Sequence, residues 1–217
     1  MIRKVEVFIK RKLRQTFRAI LSKKDIKALE DRNFVIVSNN CWGGSLYDWY
    51  KRPFNSPFIG LFLYGPCYLK VLSNFEYYLK QELKFIPQSK YPDRPKSYPV
   101  ALLADAEIHF THYDCEEVAK EKWNRRTARM LAEPNLDNYF FKICDRERVT
   151  HEHLKTFHEL PFKNKISFGL KSCPVLEKEN HIKIVESHNN NNKFVPNGKK
   201  LFKLTFIYFK VNKWLLK

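Results

Sequence analysis

Two short stretches hold most of the side chains that could do chemistry. The first is Ser38-Asn39-Asn40-Cys41-Trp42-Gly43-Gly44: two amides, a thiol, an indole and two glycines in succession. The second is Ile108-His109-Phe110-Thr111-His112-Tyr113-Asp114, with Asp105 and Glu107 just before it. A thiol between a strand and a helix can ionise and act as a nucleophile. His112 or His109 would supply the base, acting on the thiol or on a substrate hydroxyl. The amides of Asn39 and Asn40 and the backbone N–H groups of Gly43 and Gly44 are of the right type to hold a developing oxyanion. The other reading of Cys41 is packing, with the asparagines capping a loop.

Asp105, Glu107 and His109 alternate along one stretch, so a strand would place them on one face. With His112 and Asp114 they could form an oxygen-rich metal site. Such groups also hydrogen-bond one another. No metal is expected, and Asp105 and Glu107 then line a cleft with Trp42 and Tyr113 as substrate contacts. Lys122, Arg125, Arg126 and Arg129 crowd one segment. They could clamp phosphates of a coenzyme or nucleotide, or form a solvated face paired with Glu116, Glu117 and Glu121.

The elements that must position these residues are legible as alternating strands and helices. Phe34–Ser38, Phe58–Tyr64, Val100–Phe110, Tyr139–Cys144, Lys165–Phe168 and Leu201–Val211 read as strands. Residues 3–30, Cys67–Phe85, Cys115–Met130 and His151–Leu160 read as helices, while Tyr91–Pro99 and Asn189–Asn192 read as loops. The expectation is a three-layer α/β fold with a mostly parallel central sheet and helices on both faces. Three strand ends, Ser38–Gly44, Asp105–Asp114 and Cys144–Glu147, would then share one edge, where open α/β sheets bind ligands. Residues 1–30 form a basic amphipathic N-terminal helix, and 31–217 a single catalytic-type domain.

Charge is unevenly spread. The net +17 falls as +8 in residues 1–24 and +7 in residues 193–217, leaving +2 for the 168 residues between. Cations grouped at the termini, with no RNA- or DNA-binding motif, argue against nucleic acid. In helix 3–30 the apolar row Val5, Ile9, Leu13, Phe17 and Ile20 is surrounded by Lys and Arg. That pattern suits the surface of an anionic membrane, and equally a solvated helix docked on its own domain. No run of roughly 18 apolar residues is present, so no spanning helix is expected. The five cysteines include no CxxC pair, and with no secretory pattern at the N-terminus they suggest reduced thiols in the cytoplasm.

Val35–Gly44 is similar to the opening block of a bacterial family of unknown-function domains associated with exopolysaccharide biosynthesis. Asn55-Ser56-Pro57-Phe58, Asn74–Leu79 and Tyr98-Pro99-Val100 resemble its next blocks. Ile108–Tyr113, Glu116–Ala119, Lys122–Arg126, Phe157–Pro161, Lys163–Phe168 and Trp214-Leu215 continue the order. The resemblance runs from about Asn33 to the C-terminus and leaves the basic helix outside. It implies a role in exopolysaccharide, capsule or lipopolysaccharide assembly, and some members carry an acetyltransferase assignment. The strand-then-Asn-Cys motif also resembles, more weakly, a capsule-biosynthesis family of coenzyme-A-dependent acetyltransferases, with Asn39 where that family has glycine.

Together these readings lead to an enzyme on the inner face of the cell membrane, with a glycan or glycolipid precursor as acceptor and a coenzyme A thioester as donor. His112 or His109 is the base, Asn39, Asn40, Gly43 and Gly44 the oxyanion region, and Arg125, Arg126 and Arg129 the phosphate contacts. Cys41 is a covalent relay or a pocket wall. Two alternatives remain: a glycosyl or sugar-phosphate transferase using Asp105, Glu107 and His109 with a metal, and a glycan-binding protein using exposed Trp42, Tyr47, Trp49 and Tyr50.

Overall fold

The computed structural model describes residues 2–91, 97–172, 176, 180–186 and 193–217. Four parallel strands, β1 (Val35–Ser38), β5 (Tyr139–Cys144), β6 (Asn164–Gly169) and β7 (His181–Lys183), pair in the order β1-β5-β6-β7. Register runs from Val35 opposite Tyr139 and from Phe140 opposite Asn164. A second, antiparallel sheet orders β2 (Leu83–Phe85), β3 (Val100–Leu103) and β4 (Ala106–His109).

Strands β1 and β5 are buried on both faces, which explains sequences that are apolar but for Ser38 and Lys142. Alternate residues feed two separate cores. Val35, Val37, Tyr139, Phe141 and Ile143 pack with α4 (Gly65–Ser73), α5 (Phe75–Leu79), α6 (Glu116–Leu131), α7 (His151–Glu159) and the small sheet. Ile36, Phe140, Cys144, Ile166 and Phe168 pack with α3 (Trp42–Tyr50), α8 (Gly198–Tyr208) and α9 (Val211–Leu215). This is the expected three-layer α/β architecture. Tyr68 of α4 ties its layer to the sheet by donating to the carbonyls of Val37 (2.9 Å) and Lys142 (3.1 Å).

Several elements differ from the sequence reading. The N-terminal helix is two, α1 (Ile2–Thr16) and α2 (Arg18–Ala28), bent at Phe17 (φ −92°, ψ 19°) and tied by Arg14 to Asp25 at 3.1 Å. Segment 58–64 contributes only a bridge, Phe62 to His109, because Pro57 and the positive φ of Gly60 (75°) disrupt extended pairing. Segment 67–85 breaks at Asn74 into α4 and α5 and ends in β2. Segment 100–110 is a hairpin, turned at Ala104 with φ 53°. Segment 201–211 is mostly helix α8, started by the Asn197 side chain accepting from Lys200 N. Its aromatic and β-branched residues imitate a strand, but Leu201, Leu204 and Thr205 bury at helical spacing. The stretch after Cys41, read as loop, is helix α3. The Asn189–Asn192 loop, and residues 92–96 of the Tyr91–Pro99 loop, lie outside the described residues.

A buried polar chain joins α7, β6 and β7. His158 Nε2 and His181 Nδ1 each lie 2.7 Å from Ser167 Oγ, and His181 Nε2 is 3.0 Å from the Lys171 carbonyl. Burial, then the neighbouring Lys165 and His181 charges, depress the His158 pKa from 6.5 to about 4. The unfolded chain therefore binds a proton near pH 6.5 that the native state refuses until about pH 4. Stability is expected to fall as pH drops through that window. Urea midpoints measured from pH 7 to 4 should show a slope that His158→Gln flattens.

Candidate functional site

The C-terminal edge of β1 and β5 is built around a buried cation. Lys142, at the fourth position of β5, is completely inaccessible to solvent. Its Nζ donates to Asn39 Oδ1 (3.2 Å) and Asn40 Oδ1 (3.0 Å) and lies 5.9 Å from the Trp42 ring. No carboxylate lies within ion-pair distance of it among the described residues. Two amide dipoles thus replace the water that an ammonium would otherwise hold. The ammonium also fixes which way both amides point. Asn40 Nδ2 then faces Cys144 Sγ at 3.2 Å, and Asn39 Nδ2 is left buried without an acceptor. Asn39 and Asn40 therefore turn their oxygens to a cation, and Asn40 Oδ1 accepts from Trp42 N as well (3.2 Å).

Cys41 follows at the N-terminus of α3. The Gly44 N–H, in the first turn, has no acceptor among the described residues. Gly43 is needed for packing: a Cβ there would come 3.1 Å from Ser38 Cβ and 3.3 Å from Ile36 Cγ2. Trp42 is buried, with Nε1 donating to Thr205 Oγ1 at 2.8 Å. Tyr47, Trp49 and Tyr50 are also buried, so these four aromatics are core and not an exposed glycan-binding surface.

The hairpin is carried to this edge by residues 60–63. Leu63 N donates to Asn39 O (3.0 Å), Phe62 pairs with His109, and His112 N donates to Gly60 O (3.0 Å). Cys41 Sγ donates to the Leu61 carbonyl at 3.9 Å, Thr111 Oγ1 donates to the Gly60 carbonyl at 3.5 Å, and Lys199 at the start of α8 acts electrostatically on both Cys41 and His112. Burial pushes the Cys41 thiol up, outweighing Thr111 and Lys199, so it is protonated at neutral pH. Burial and the Lys199 charge push His112 below 6.5, so its exposed ring is neutral at pH 7. A neutral imidazole and a protonated thiol suit a general base better than a thiolate nucleophile.

His109 sits elsewhere. It is buried, stacked on Phe62 with centroids 4.5 Å apart, and its Nε2 is 2.7 Å from Glu107 Oε1. Glu107 accepts from Ser89 Oγ and from Lys90 N at 3.0 Å. Asp105 is not on that face: it occupies the hairpin turn and pairs with Lys70 (2.6 Å) and Tyr78 (2.7 Å). The alternation that suggested a metal site is thus split by the turn, and no cluster of three metal-type ligands occurs among the described residues. On α6, Arg126 is buried and donates to Tyr113 Oη (2.6 Å), which donates to Ile59 O (2.6 Å). Arg129 reaches Phe54 O (3.3 Å), and Arg125 pairs with Glu121 (3.2 Å).

Comparison with known proteins bears on this arrangement as a whole. The family model described as domain of unknown function DUF1919 matches residues 12–215. The chain belongs to the DUF1919 family. An uncharacterised protein of Haemophilus influenzae (strain Rd) is 40% identical over 163 residues, spanning 75% of this chain and 74% of the relative. The DUF1919 match starts inside α1, so the end of α1 and all of α2 lie within the family, not outside it as the motif blocks suggested.

Two groups central to this DUF1919 domain escaped the sequence reading. Lys142 interrupts the apolar run Tyr139-Phe140-Phe141-Lys142-Ile143-Cys144, and a charge inside a doubly buried strand was the available signal. Lys199 was hidden in a segment read as the approach to a strand. Within the Cys144–Glu147 end that the sequence marked, the backbone takes two successive positive φ values at Glu147 and Arg148 (54° and 59°), and α4 begins against it through Gly65 N to Glu147 O at 2.7 Å. Removing the amides around Lys142 should cost more than removing Lys142 itself. Asn39→Ala/Asn40→Ala leaves an unsolvated charge, about 3–5 kcal/mol. Lys142→Met leaves only an unmet acceptor, about 1–3 kcal/mol. Urea unfolding of the two variants checks the order, and the reverse order contradicts this account.

Proposed function

We propose that this chain is an enzyme of surface-polysaccharide biosynthesis that transfers an acyl group from a coenzyme A thioester to a hydroxyl of a glycan or glycolipid precursor. What carries the reading is His112, a neutral and solvent-reachable imidazole tied through Gly60 to the loop that also holds Cys41 at Leu61, with Lys199 acting on both. In the reaction His112 removes the proton of the sugar hydroxyl as its oxygen attacks the thioester carbonyl. The tetrahedral oxyanion is met by the Gly44 N–H and the positive N-terminus of α3. Collapse breaks the carbon–sulfur bond, and the coenzyme A thiolate takes the proton back from His112. Cys41, protonated, forms a wall of this site.

The family resemblance supplies the substrate class, and the chain's own residues supply the base. A glycan-binding protein without activity is disfavoured by the burial of Trp42, Tyr47, Trp49 and Tyr50. A metal-dependent glycosyl transferase is disfavoured by the separation of Asp105 from Glu107 and His109. We place the enzyme on the cytoplasmic face of the membrane through α1, whose Val5, Phe8, Ile9 and Leu13 are exposed, with Lys10 and Lys12 beside them. No helix among the described residues is long and apolar enough to cross a membrane.

Acetyl-coenzyme A should bind in calorimetry, and His112→Ala should lower kcat by about 10²–10⁴-fold while the fold is kept. The wild-type kcat should rise with pH through a midpoint below 6.5, because the base must be neutral. Absence of thioester binding, or full activity in His112→Ala, overturns the reading. Separately, sedimentation with phosphatidylglycerol vesicles should retain the wild type and lose Ile9→Ser/Leu13→Ser. Equal retention of both removes the anchor.

A further inference from the structure

Helix α1 is mounted with its polarity reversed. Val7, Arg11 and Arg14 follow one side of the helix, and this is the side turned to the domain, where Val7 is buried and the two arginines are half-buried. Val5, Ile9 and Leu13, on the opposite side, are each about half exposed. A surface helix in water places its apolar stripe inward and its charges outward. Here arginines face the domain, across a cavity of about 520 Å³ between α1, α3 and α8.

The cavity is strongly cationic. Its lining includes Arg11, Arg14, Arg18, Lys199 and Lys203, against one acid, Asp48. Arg14 is satisfied by Asp25 and lies over the rings of Phe206 (4.0 Å) and Trp49 (5.1 Å). The other four have no carboxylate within ion-pair distance among the described residues. Like charges grouped around one apolar-walled space repel one another unless an anion joins them. An adjoining groove lined by Arg11, Lys12, Asn197, Lys199, Lys200 and Lys203 extends this cationic surface past the N-terminus of α8. Lys199 links this space to Cys41 and His112, on both of which its charge acts.

We infer that the cleft between α1, α3 and α8 binds a pyrophosphate-type anion through Arg11, Arg18, Lys199 and Lys203. Two linked phosphates supply enough negative charge to join four cations spread over three helices, α1, α2 and α8, and guanidinium groups hold phosphate oxygens in bidentate fashion. The volume is that of an ordinary ligand site. The diphosphate can come from a soluble carrier, such as a coenzyme or nucleotide, or from a lipid headgroup. The inference concerns binding alone and stands whether or not acyl transfer is the reaction.

The test is calorimetric titration of the full chain with inorganic pyrophosphate at fixed salt. Arg18→Gln/Lys199→Gln/Lys203→Gln should weaken binding about tenfold or more. Lys23→Gln/Lys24→Gln/Lys120→Gln removes the same net charge elsewhere and should leave it unchanged. No pyrophosphate binding by the wild type, or equal loss in the two triple variants, overturns the inference. Where binding holds, competition by coenzyme A or uridine diphosphate assigns a soluble source. Competition by vesicles carrying a polyprenyl diphosphate, lost in the cleft variant and not given by phosphatidylglycerol vesicles alone, assigns a lipid one. His112→Ala should bind pyrophosphate normally, so failure of the proposed catalysis and failure of this site give different results.

Discussion

An ammonium group in the dry middle of a sheet has to be solvated by something, and that constraint orders the rest of this molecule. Lys142 meets it with the amide oxygens of Asn39 and Asn40. Both amides must then follow β1 directly, which fixes the turn after Ser38 and the start of α3. Asn40 also receives Trp42 N, so the first turn of α3 is oriented by the same group. Helix α8 reaches this corner so closely that a Cβ at position 198 would lie 2.7 Å from Trp42 N, and glycine is the residue found there. Lys199 is thereby held next to Cys41 and His112.

The two histidines of the 109–112 block show how one short segment divides its chemistry. The odd positions of β4 share a face, which keeps His109 beside Glu107 and among Phe62 and Tyr64, where its ring is structural. Three residues later the chain has left the sheet, and His112 meets solvent with its proton affinity lowered. Cys41 is moved the other way by burial. Two groups that look equivalent as reagents in the sequence are separated by their dielectric surroundings.

The parallel sheet was readable because a doubly buried strand has one simple signature, a short apolar run ended by polar residues, which β1 shows and β5 shows but for Lys142; β6, with Asn164, Lys165 and Ser167, shows it only at Ile166 and Phe168. The convergence of the 38–44 and 144–147 ends follows from parallel pairing alone. The hairpin was not readable as two strands because nothing in Leu103-Ala104-Asp105-Ala106 announces a turn: Ala104 adopts positive φ without glycine or asparagine. Helix α8 was misread because side-chain shape favours strands, whereas the capping Asn197-Gly198 pair and the 201, 204, 205 spacing favour a helix, and tertiary packing decided. The amides at 39 and 40 were found as polar groups at a sheet edge, but their partner was not, since hydrogen-bond direction is a property of three dimensions.

Among the described residues strand β1 pairs with β5 alone, and Val35 waits for Tyr139, 104 positions later. A ribosome adding roughly 5–20 residues per second needs about 5–20 s to cover that distance. During this interval a fully apolar strand and the amides meant for Lys142 are outside the tunnel without their partners. The α4, α5 and hairpin units, made in between, can form locally first. Vectorial synthesis therefore leaves β1 without a sheet partner until β5 is made, and chaperone demand should centre on the first strand made.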